Sequence, residues 1–121
     1  MENNQRYQDL IVWQKAIELT KQIYKLTSQL PPEEIYGLTS QLKRAASSVP
    51  ANIVEGYYRS STKEFVKFLY NARGSLMETD NHLMLGVRLE LFRQSDVQPI
   101  RGLIEEILKM TNSLIHNKKA A

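Results

Sequence analysis

The stretch from residue 47 to residue 65 constrains the fold of this chain more than any other, because it bends one predicted helix, ends it and begins the next. Pro50 lies inside an apolar stripe that continues in phase to Ile53, so its missing amide donor is expected to kink the helix rather than end it. Residues 56–60 are then expected to form a turn, and the Ser-Thr-Lys-Glu sequence at 61–64 matches a capping box. The segments on both sides are predicted to be helical.

Four segments carry apolar residues at helical spacing. The first is expected to begin at an N-cap, Asp9, and to end at the prolines at 31–32, since proline disfavours helix in the residue before it. The second begins near the glutamates at 33–34, and the third runs from the capping box to about Leu91. The fourth follows a second capping box, Ser-Asp-Val-Gln, at residues 95–98.

Four helices with short connections, and no strand or repeat pattern, predict an all-α fold, an up-down-up-down antiparallel four-helix bundle with helix 2 kinked near Pro50. We assign residues 9–116 to the bundle, 1–8 to a flexible N-terminus and 117–121 to a frayed C-terminal tail. The apolar arcs of helices 1 and 4 span about 200° and about 160°, whereas packing on one core needs roughly 100°. Some of this surplus apolar surface is expected to face another subunit.

The composition fits one soluble domain and excludes several classes of protein. The 121 residues carry 42% apolar and 24% charged residues, an ordinary globular balance. No apolar run approaches the roughly 20 residues of a membrane span, and the polar start does not resemble a secretory signal, so a cytoplasmic protein is expected. The absence of cysteine excludes disulfides, thiolate nucleophiles and cysteine-based zinc sites. The net charge of +3 indicates mild attraction to polyanions.

The residue pattern supports neither metal nor nucleophile chemistry. A di-iron bundle requires Glu-x-x-His motifs, but His82 follows Glu78 by four residues, and His116 lies on a predicted solvent face. Both histidines are interpreted as solvated. No Ser-His-Asp or Cys-His set can be assembled, and no glycine-rich phosphate loop precedes a helix. The sequence therefore predicts a non-enzyme without metal or cofactor.

Two polar residues in the kinked segment, Asn52 and Glu55, invite a functional interpretation. Their structural interpretation is that they bond to backbone groups freed by Pro50. We prefer this over the alternative of a catalytic role. Gly56 completes the kinked segment, where its lack of a side chain lets another backbone approach closely.

Cations and aromatic rings gather between residues 43 and 73, where six cations and two anions leave a charge of 6 − 2 = +4. Cations neutralise phosphates and rings stack on unpaired bases, as in the recognition of single-stranded RNA. The alternative is an ordinary solvated helix face with rings packed under the turn, and the pattern fits both interpretations. The predicted nucleic-acid-binding residues are Lys43, Arg44, Arg59, Lys63 and Lys67, with Tyr57 and Tyr58.

Several motifs carry a resemblance to a known family. They are Asp-Leu-Ile-Val-Trp-Gln-Lys-Ala at 9–16, Tyr-Gly-Leu at 36–38, Gln-Leu-Lys-Arg-Ala-Ala-Ser-Ser-Val-Pro-Ala-Asn-Ile-Val-Glu-Gly at 41–56, Lys-Glu-Phe at 63–65, Phe-Leu at 68–69 and Gly-Ser-Leu at 74–76. Over about residues 7–115 the chain closely resembles the four-helix-bundle proteins encoded in intervening sequences of bacterial 23S ribosomal RNA genes.

This resemblance implies a homopentameric barrel of bundles and a link with structured RNA. Relatives in fold include the accessory protein of diversity-generating retroelements, which binds a reverse transcriptase and nucleic acid. We therefore predict an oligomeric, non-enzymatic nucleic-acid-binding protein, with RNA as the favoured ligand. The alternative is a protein-interaction scaffold that docks a polymerase or another partner.

Overall fold

The fold consists of four α-helices joined by short connections. The computed structural model describes residues 6–120, with side chains through Lys118. Within these residues it contains no strand, and its helices are α1 (Ile11–Thr27), α2 (Leu38–Tyr57), α3 (Thr62–Arg88) and α4 (Gln94–Ala120). Short 3₁₀ turns, Tyr7–Asp9 and Pro32–Glu34, precede α1 and α2. The all-α prediction is confirmed.

The helices close into an antiparallel bundle around one core. Each helix contacts the next along the chain, and α1 contacts α4, which completes the ring of contacts. All four helices contribute fully buried apolar side chains, among them Leu19, Leu42, Leu76 and Ile107. The predicted four-helix bundle is therefore confirmed. None of the helices within residues 6–120 is both long and apolar enough to cross a bilayer.

Pro50 lies inside α2, and the helix continues beyond it to Tyr57, as predicted. Because proline has no amide hydrogen, the carbonyl of Ala46 loses its helical donor. A hydroxyl on α1 takes that place: Thr20 Oγ1 lies 3.3 Å from the Ala46 oxygen and 2.9 Å from the oxygen of Ala16. Because a hydroxyl has one hydrogen, Thr20 shares it between these two carbonyls, and a neighbouring helix thus partly replaces the donor that Pro50 removes.

The structure differs from the interpretation of Asn52 and Glu55 as partners of that freed carbonyl. Asn52 Nδ2 donates instead to the Ser48 oxygen at 2.8 Å and to Ser48 Oγ at 3.0 Å. Glu55 pairs with Arg59. The freed carbonyl lies on the α1 side of α2, so a side chain of α1 reaches it and these two side chains do not.

Three helix starts differ from the prediction. Asp9 belongs to the first 3₁₀ turn rather than capping α1. Glu34 lies before α2, and its Oε1 accepts the amide of Leu38 at 3.1 Å. The fourth helix begins at Gln94, one residue before the predicted box at 95–98. These shifts arise because short polar side chains bond to nearby amides in more than one way, so a cap motif alone does not select one start.

The end of α4 also differs. The helix runs to Ala120, so residues 117–120, predicted to fray, are helical. Lysine and alanine favour helix, and Lys118 Nζ lies 5.7 Å from the ring centroid of Phe65 on α3, which gives the last turn a tertiary contact. Residues 1–5 of the predicted flexible N-terminus and residue 121 lie outside the described residues.

The α3–α4 connection closes with a Schellman motif. The amide of Glu90 donates to the Val87 oxygen at 2.9 Å, and the amide of Leu91 donates to the Gly86 oxygen at 2.8 Å. Glu90 has a φ of 61°, the left-handed conformation that glycine usually occupies. A Cβ at Gly86 would lie 2.4 Å from Phe92 Cδ2, so the lack of a side chain allows Phe92 to complete the core.

An ion pair joins α3 to α4 near the same connection. Arg101 Nε and Nη2 donate to the two carboxylate oxygens of Asp80 at 2.7 and 3.2 Å. This bidentate hydrogen bonding raises the pKa of Arg101 above its ordinary value. The pair therefore fixes the register of two antiparallel helices.

Candidate nucleic-acid interface

Aromatic rings form a continuous cluster where α2 turns into α3. The aromatic cluster consists of Tyr7, Trp13, Tyr57, Tyr58 and Phe65. Ring centroids are 5.2 Å apart for Tyr7 and Trp13 and 5.2 Å apart for Tyr57 and Tyr58, in edge-to-face arrangements. Tyr7 also lies 6.2 Å from Tyr58, so the cluster ties the 3₁₀ turn before α1 to the α2–α3 turn.

Gly56 sets how closely the two helices approach at this turn. A Cβ on Gly56 would lie 2.7 Å from Phe68 Cβ, closer than a real side chain tolerates, and 3.0 Å from Phe65 Cδ1, which is also tight. Ser61 then starts α3, because its Oγ accepts the amide of Glu64 at 3.1 Å, which is one of the two reciprocal hydrogen bonds of the predicted capping box. The first turn of α3 therefore lies beside the last turn of α2.

The two tyrosines of the turn occupy different environments. Tyr57 is half-buried and packs edge-on against Phe65, with ring centroids 6.4 Å apart. Tyr58 is 63% exposed and is supported by Tyr57 and Tyr7 at its edges. The interpretation of rings packed under the turn thus describes Tyr57, whereas Tyr58 is available to stack on a ligand.

The cations of this turn also differ in their partners. Arg59 Nη2 lies 3.0 Å from Glu55 Oε2, and its guanidinium carbon is 4.9 Å from the ring centroid of Phe68. Lys63 and Lys67 are exposed one turn apart on α3 and make no ion pair with the described residues. Lys63 and Lys67 therefore present charge that no neighbouring carboxylate neutralises.

The other two predicted cations lie elsewhere on the bundle. Lys43 precedes Glu55 by 55 − 43 = 12 residues, which corresponds to about 18 Å along α2. Lys43 Nζ lies 4.6 Å from the ring centroid of Tyr24 on α1, while Arg44 points to solvent on another face of α2. The structure therefore gathers Arg59, Tyr57, Tyr58, Lys63 and Lys67, but not Lys43 and Arg44.

We call the region that gathers them the aromatic end of the bundle, formed by residues 6–13, 55–68 and 114–118. Sequence reasoning missed three of its members, Tyr7, Trp13 and Lys118. Tyr7 lay in a segment predicted to be flexible, and Lys118 in a predicted frayed tail. The Lys-Lys-Ala-Ala run at 118–121 consists of residues that favour helix and is the available signal for Lys118. No local signal connects Tyr7 or Trp13 to the turn.

A groove of about 440 Å³ opens beside the aromatic cluster. Its lining consists of Tyr7, Trp13, Pro50, Ala51, Val54 and Glu55. The walls are aromatic or aliphatic, and a single carboxylate, that of Glu55, provides the charged group. The groove thus lies between the start of α1 and the last turns of α2.

The described residues also bear on the metal and histidine predictions. Within them, no three His, Cys, Asp or Glu side chains cluster closely enough to hold a metal ion. His116 is exposed, but the prediction of a solvated His82 is wrong: its side chain is 15% exposed. Neither ring nitrogen of His82 finds a hydrogen-bond partner among the described residues, and Nε2 lies 3.7 Å from Glu78 Oε2. The polar side of α3 is therefore narrower than its sequence pattern suggests.

Comparison with known proteins gives the relationships of this chain. The family model for 23S rRNA-intervening sequence proteins matches residues 8–113. A crystal structure from Bacteroides thetaiotaomicron, of a protein with unknown function from the S23 ribosomal protein family, is similar with a TM-score of 0.78 and 27% identity. That similarity covers 87% of this chain and 98% of the other. No curated protein matches the chain. The chain belongs to the 23S rRNA-intervening sequence protein family.

Proposed function

We propose that this protein binds nucleic acid, with RNA as the preferred ligand, through the aromatic end of the bundle and without catalytic activity. The observation that carries the proposal is the exposed ring of Tyr58 at the same end of the bundle as Lys63 and Lys67, two exposed cations that make no ion pair with the described residues. Rings of this kind stack on unpaired bases, and cations neutralise phosphates. The family name adds an association with ribosomal RNA genes, and an RNA ligand is consistent with action in the cytoplasm.

The electrostatic part of the proposal has a definite salt dependence. Three exposed lysines, Lys63, Lys67 and Lys118, can each neutralise one phosphate. For a single strand, three such contacts in one protomer predict that log K falls with log salt with a slope of about −2. Arg59 contributes less, because Glu55 already pairs with it at 3.0 Å.

The proposal includes self-association, with a homopentamer as the expected assembly. A second groove of about 440 Å³ lies between α1 and α4, lined in part by Ile11, Met110 and Leu114. Ile11 remains 55% exposed beside it. Exposed apolar surface next to a groove is typical of protein–protein contact, and it lies on the two helices whose apolar arcs exceed one core. Assembly would unite several basic surfaces in one particle and raise avidity.

The test reverses the two unpaired charges. The double variant Lys63→Glu, Lys67→Glu is expected to lose binding to a labelled single-stranded RNA, measured by fluorescence anisotropy over a salt series. Its oligomer mass, measured by light scattering, is expected to equal that of the wild type. A duplex of the same sequence, measured in parallel, reports whether unpaired bases add affinity.

A matched control exists at the other end of α1. Lys21 and Lys25 are also exposed lysines four residues apart on a helix. The double variant Lys21→Glu, Lys25→Glu makes the same change in net charge and is expected to keep most of the affinity. Retained binding by the Lys63→Glu, Lys67→Glu variant, or equal losses in both variants, would contradict the placement of the site.

The apolar groove between α1 and α4 also favours a second candidate function, a scaffold that docks a protein partner such as a polymerase. In that case RNA binding by the isolated protein would be weak and insensitive to salt. A tight complex with a protein partner that survives ribonuclease treatment, together with loss of that complex in an Ile11→Glu variant, would favour the scaffold.

A further inference from the structure

We infer that the groove lined by Tyr7, Trp13, Pro50, Ala51, Val54 and Glu55 binds one unpaired nucleobase and that guanine fits it best. The inference rests on the proposed nucleic-acid binding and deepens it, because it names the base and the residues that recognise it. Phosphate contacts alone give affinity without sequence preference, so a base pocket would add a specificity that the lysines lack.

The walls of the groove suit a flat aromatic ligand. Tyr7 and Trp13 meet edge-on, with ring planes at 76°. A base that stacks on one of these rings is nearly perpendicular to the other and can present its edge to the face of that ring, which is a favourable arrangement for aromatic groups. The opposite wall is aliphatic, formed by Pro50, Ala51 and Val54 on α2. The groove has a volume of about 440 Å³ and is widely open to solvent, so one purine can lie in it with one side exposed.

Glu55 supplies the polar recognition. Its Oε2 accepts from Arg59 at 3.0 Å, which orients the carboxylate, and its Oε1 makes no hydrogen bond with the described residues. A carboxylate offers only acceptors. Guanine carries two adjacent N–H groups on its Watson–Crick edge, so one carboxylate can accept both. Cytosine, adenine and uracil place an acceptor next to their donor, and that acceptor would face a carboxylate oxygen.

The surroundings favour a polynucleotide over a free base. Arg59 offsets the charge of Glu55, so the carboxylate does not present an isolated negative charge to the phosphates. Tyr58 borders the groove through its contact with Tyr7, at 6.2 Å between centroids, and its exposed ring can stack on the adjacent base. A neutral ion pair beside an aromatic groove, with the exposed Tyr58 ring at its border, therefore suits a segment of single-stranded RNA whose phosphates contact the lysines of the aromatic end.

The single tryptophan of the chain provides a direct readout of groove occupancy. Trp13 lines the groove, so a base that enters it is expected to quench the tryptophan emission. The probes are a uridine dodecamer, the same dodecamer with one central guanosine, and one with inosine at that position. The guanosine oligonucleotide is expected to bind about tenfold more tightly than the uridine one, and inosine, which lacks the 2-amino group, to lose most of that preference.

Two variants separate recognition from phosphate binding. Glu55→Gln keeps the side-chain size but replaces one acceptor oxygen by a donor, so the guanosine preference should vanish while affinity for the uridine dodecamer is unchanged or higher. Ala51→Leu fills the groove from an exposed helical position and should abolish quenching while binding detected by anisotropy remains.

The possible results distinguish this inference from the proposed function. Salt-dependent binding of all oligonucleotides without tryptophan quenching, or with equal affinity for all three, would overturn the base pocket and leave the nucleic-acid binding intact. Quenching and preference that persist in Glu55→Gln would overturn the role of the carboxylate. Failure of every oligonucleotide to bind the wild type would contradict both.

Discussion

The α2–α3 turn and the α3–α4 connection both reverse the chain between antiparallel helices, but the first exposes an aromatic side chain and the second buries one. At the α3–α4 connection Phe92 is buried against Gly86 and completes the core. At the α2–α3 turn Tyr58 projects to solvent, held by other rings at its edges. Phe92 is part of the core and is buried, whereas Tyr58 lies outside the core and its ring remains exposed.

The net charge also differs between the two ends of the bundle. Among residues 6–118, the aromatic end carries five cations and three carboxylates, a net of 5 − 3 = +2. The opposite end, residues 20–38 and 84–98, carries four of each, a net of 4 − 4 = 0. The excess cations therefore lie at the same end as the exposed ring of Tyr58, whereas the exposed ring of Tyr36 lies at the end with no net charge. If the proposed binding is correct, fold stability and ligand binding depend on different ends of the molecule, and single substitutions can test that division.

The largest change in stability is expected from a substitution at the α3–α4 connection. Gly86→Ala places a methyl group 2.4 Å from Phe92 Cδ2, so Phe92 must move and lose burial. We expect a loss of about 2–3 kcal/mol in the free energy of unfolding, measured with urea. Gly102→Ala is the control, because its Cβ meets nothing within 4 Å, and it should stabilise α4 by about 0.5–1 kcal/mol. Equal effects of the two substitutions would refute the packing argument.

A smaller effect is expected from the ion pair near the same end. Asp80→Asn removes the charge that Arg101 contacts at 2.7 and 3.2 Å, and should lower stability by about 1–2 kcal/mol because the pair is half-buried. The raised pKa of Arg101 means that its contribution is fully present below the ordinary arginine pKa and lost only as pH rises beyond the folded-state pKa. The Arg101 contribution should therefore stay constant across neutral pH, and a steep change there would contradict it.

A gain in stability is expected at the C-cap of α3. Glu90 occupies the left-handed conformation with φ of 61°, so Glu90→Gly should relieve strain and stabilise the fold by about 0.5–1 kcal/mol. Glu90→Ala serves as the control, since alanine keeps the strain and should give no such gain. An equal gain in stability with alanine and with glycine would show that removal of the Glu90 charge, rather than relief of backbone strain, stabilises the fold. RNA binding should not change in either variant.

The smallest effect on stability is expected at the aromatic end. Tyr58→Ala should change the free energy of unfolding by about 0.5 kcal/mol, because the ring is 63% exposed. The same substitution should weaken RNA binding by about 1–3 kcal/mol through lost stacking. Tyr36→Ala, at a 96% exposed tyrosine of the opposite end, is the matched control and should alter neither quantity. A large loss of stability in Tyr58→Ala would contradict the argument that Tyr58 contributes little to folding.

Much of the fold could be predicted because its signals are local. The apolar spacing within each segment predicts a helix, and Ser61 accepts the amide of Glu64 as its capping pattern indicates. The continuation of α2 past Pro50 follows from an apolar stripe that stays in phase. Helix ends were less predictable, as Asp9 and Glu34 show, because several local hydrogen bonds compete there.

The candidate site was predicted only in part, because its members come from different helices. Arg59, Lys63 and Lys67 are close in sequence and remain close in the structure. Lys43 was assigned to the same surface but lies about 18 Å away along α2 and contacts α1 instead. Lys118 reaches the site from the other end of the chain. Proximity in sequence therefore predicts proximity in space only within one or two helical turns.

The amino-acid sequence alone predicts the helix count, the all-α class, the cap of α3 and the basic character of the α2–α3 turn, since each depends on residues a few positions apart. Helix packing was needed to show that Thr20 bonds to the carbonyl of Ala46, that Tyr57 is half-buried while Tyr58 is exposed, and that Trp13 lines a groove with Glu55. The physical reason is that burial and hydrogen-bond partners depend on which helices become neighbours, and side chains from distant parts of the chain meet only after the helices pack.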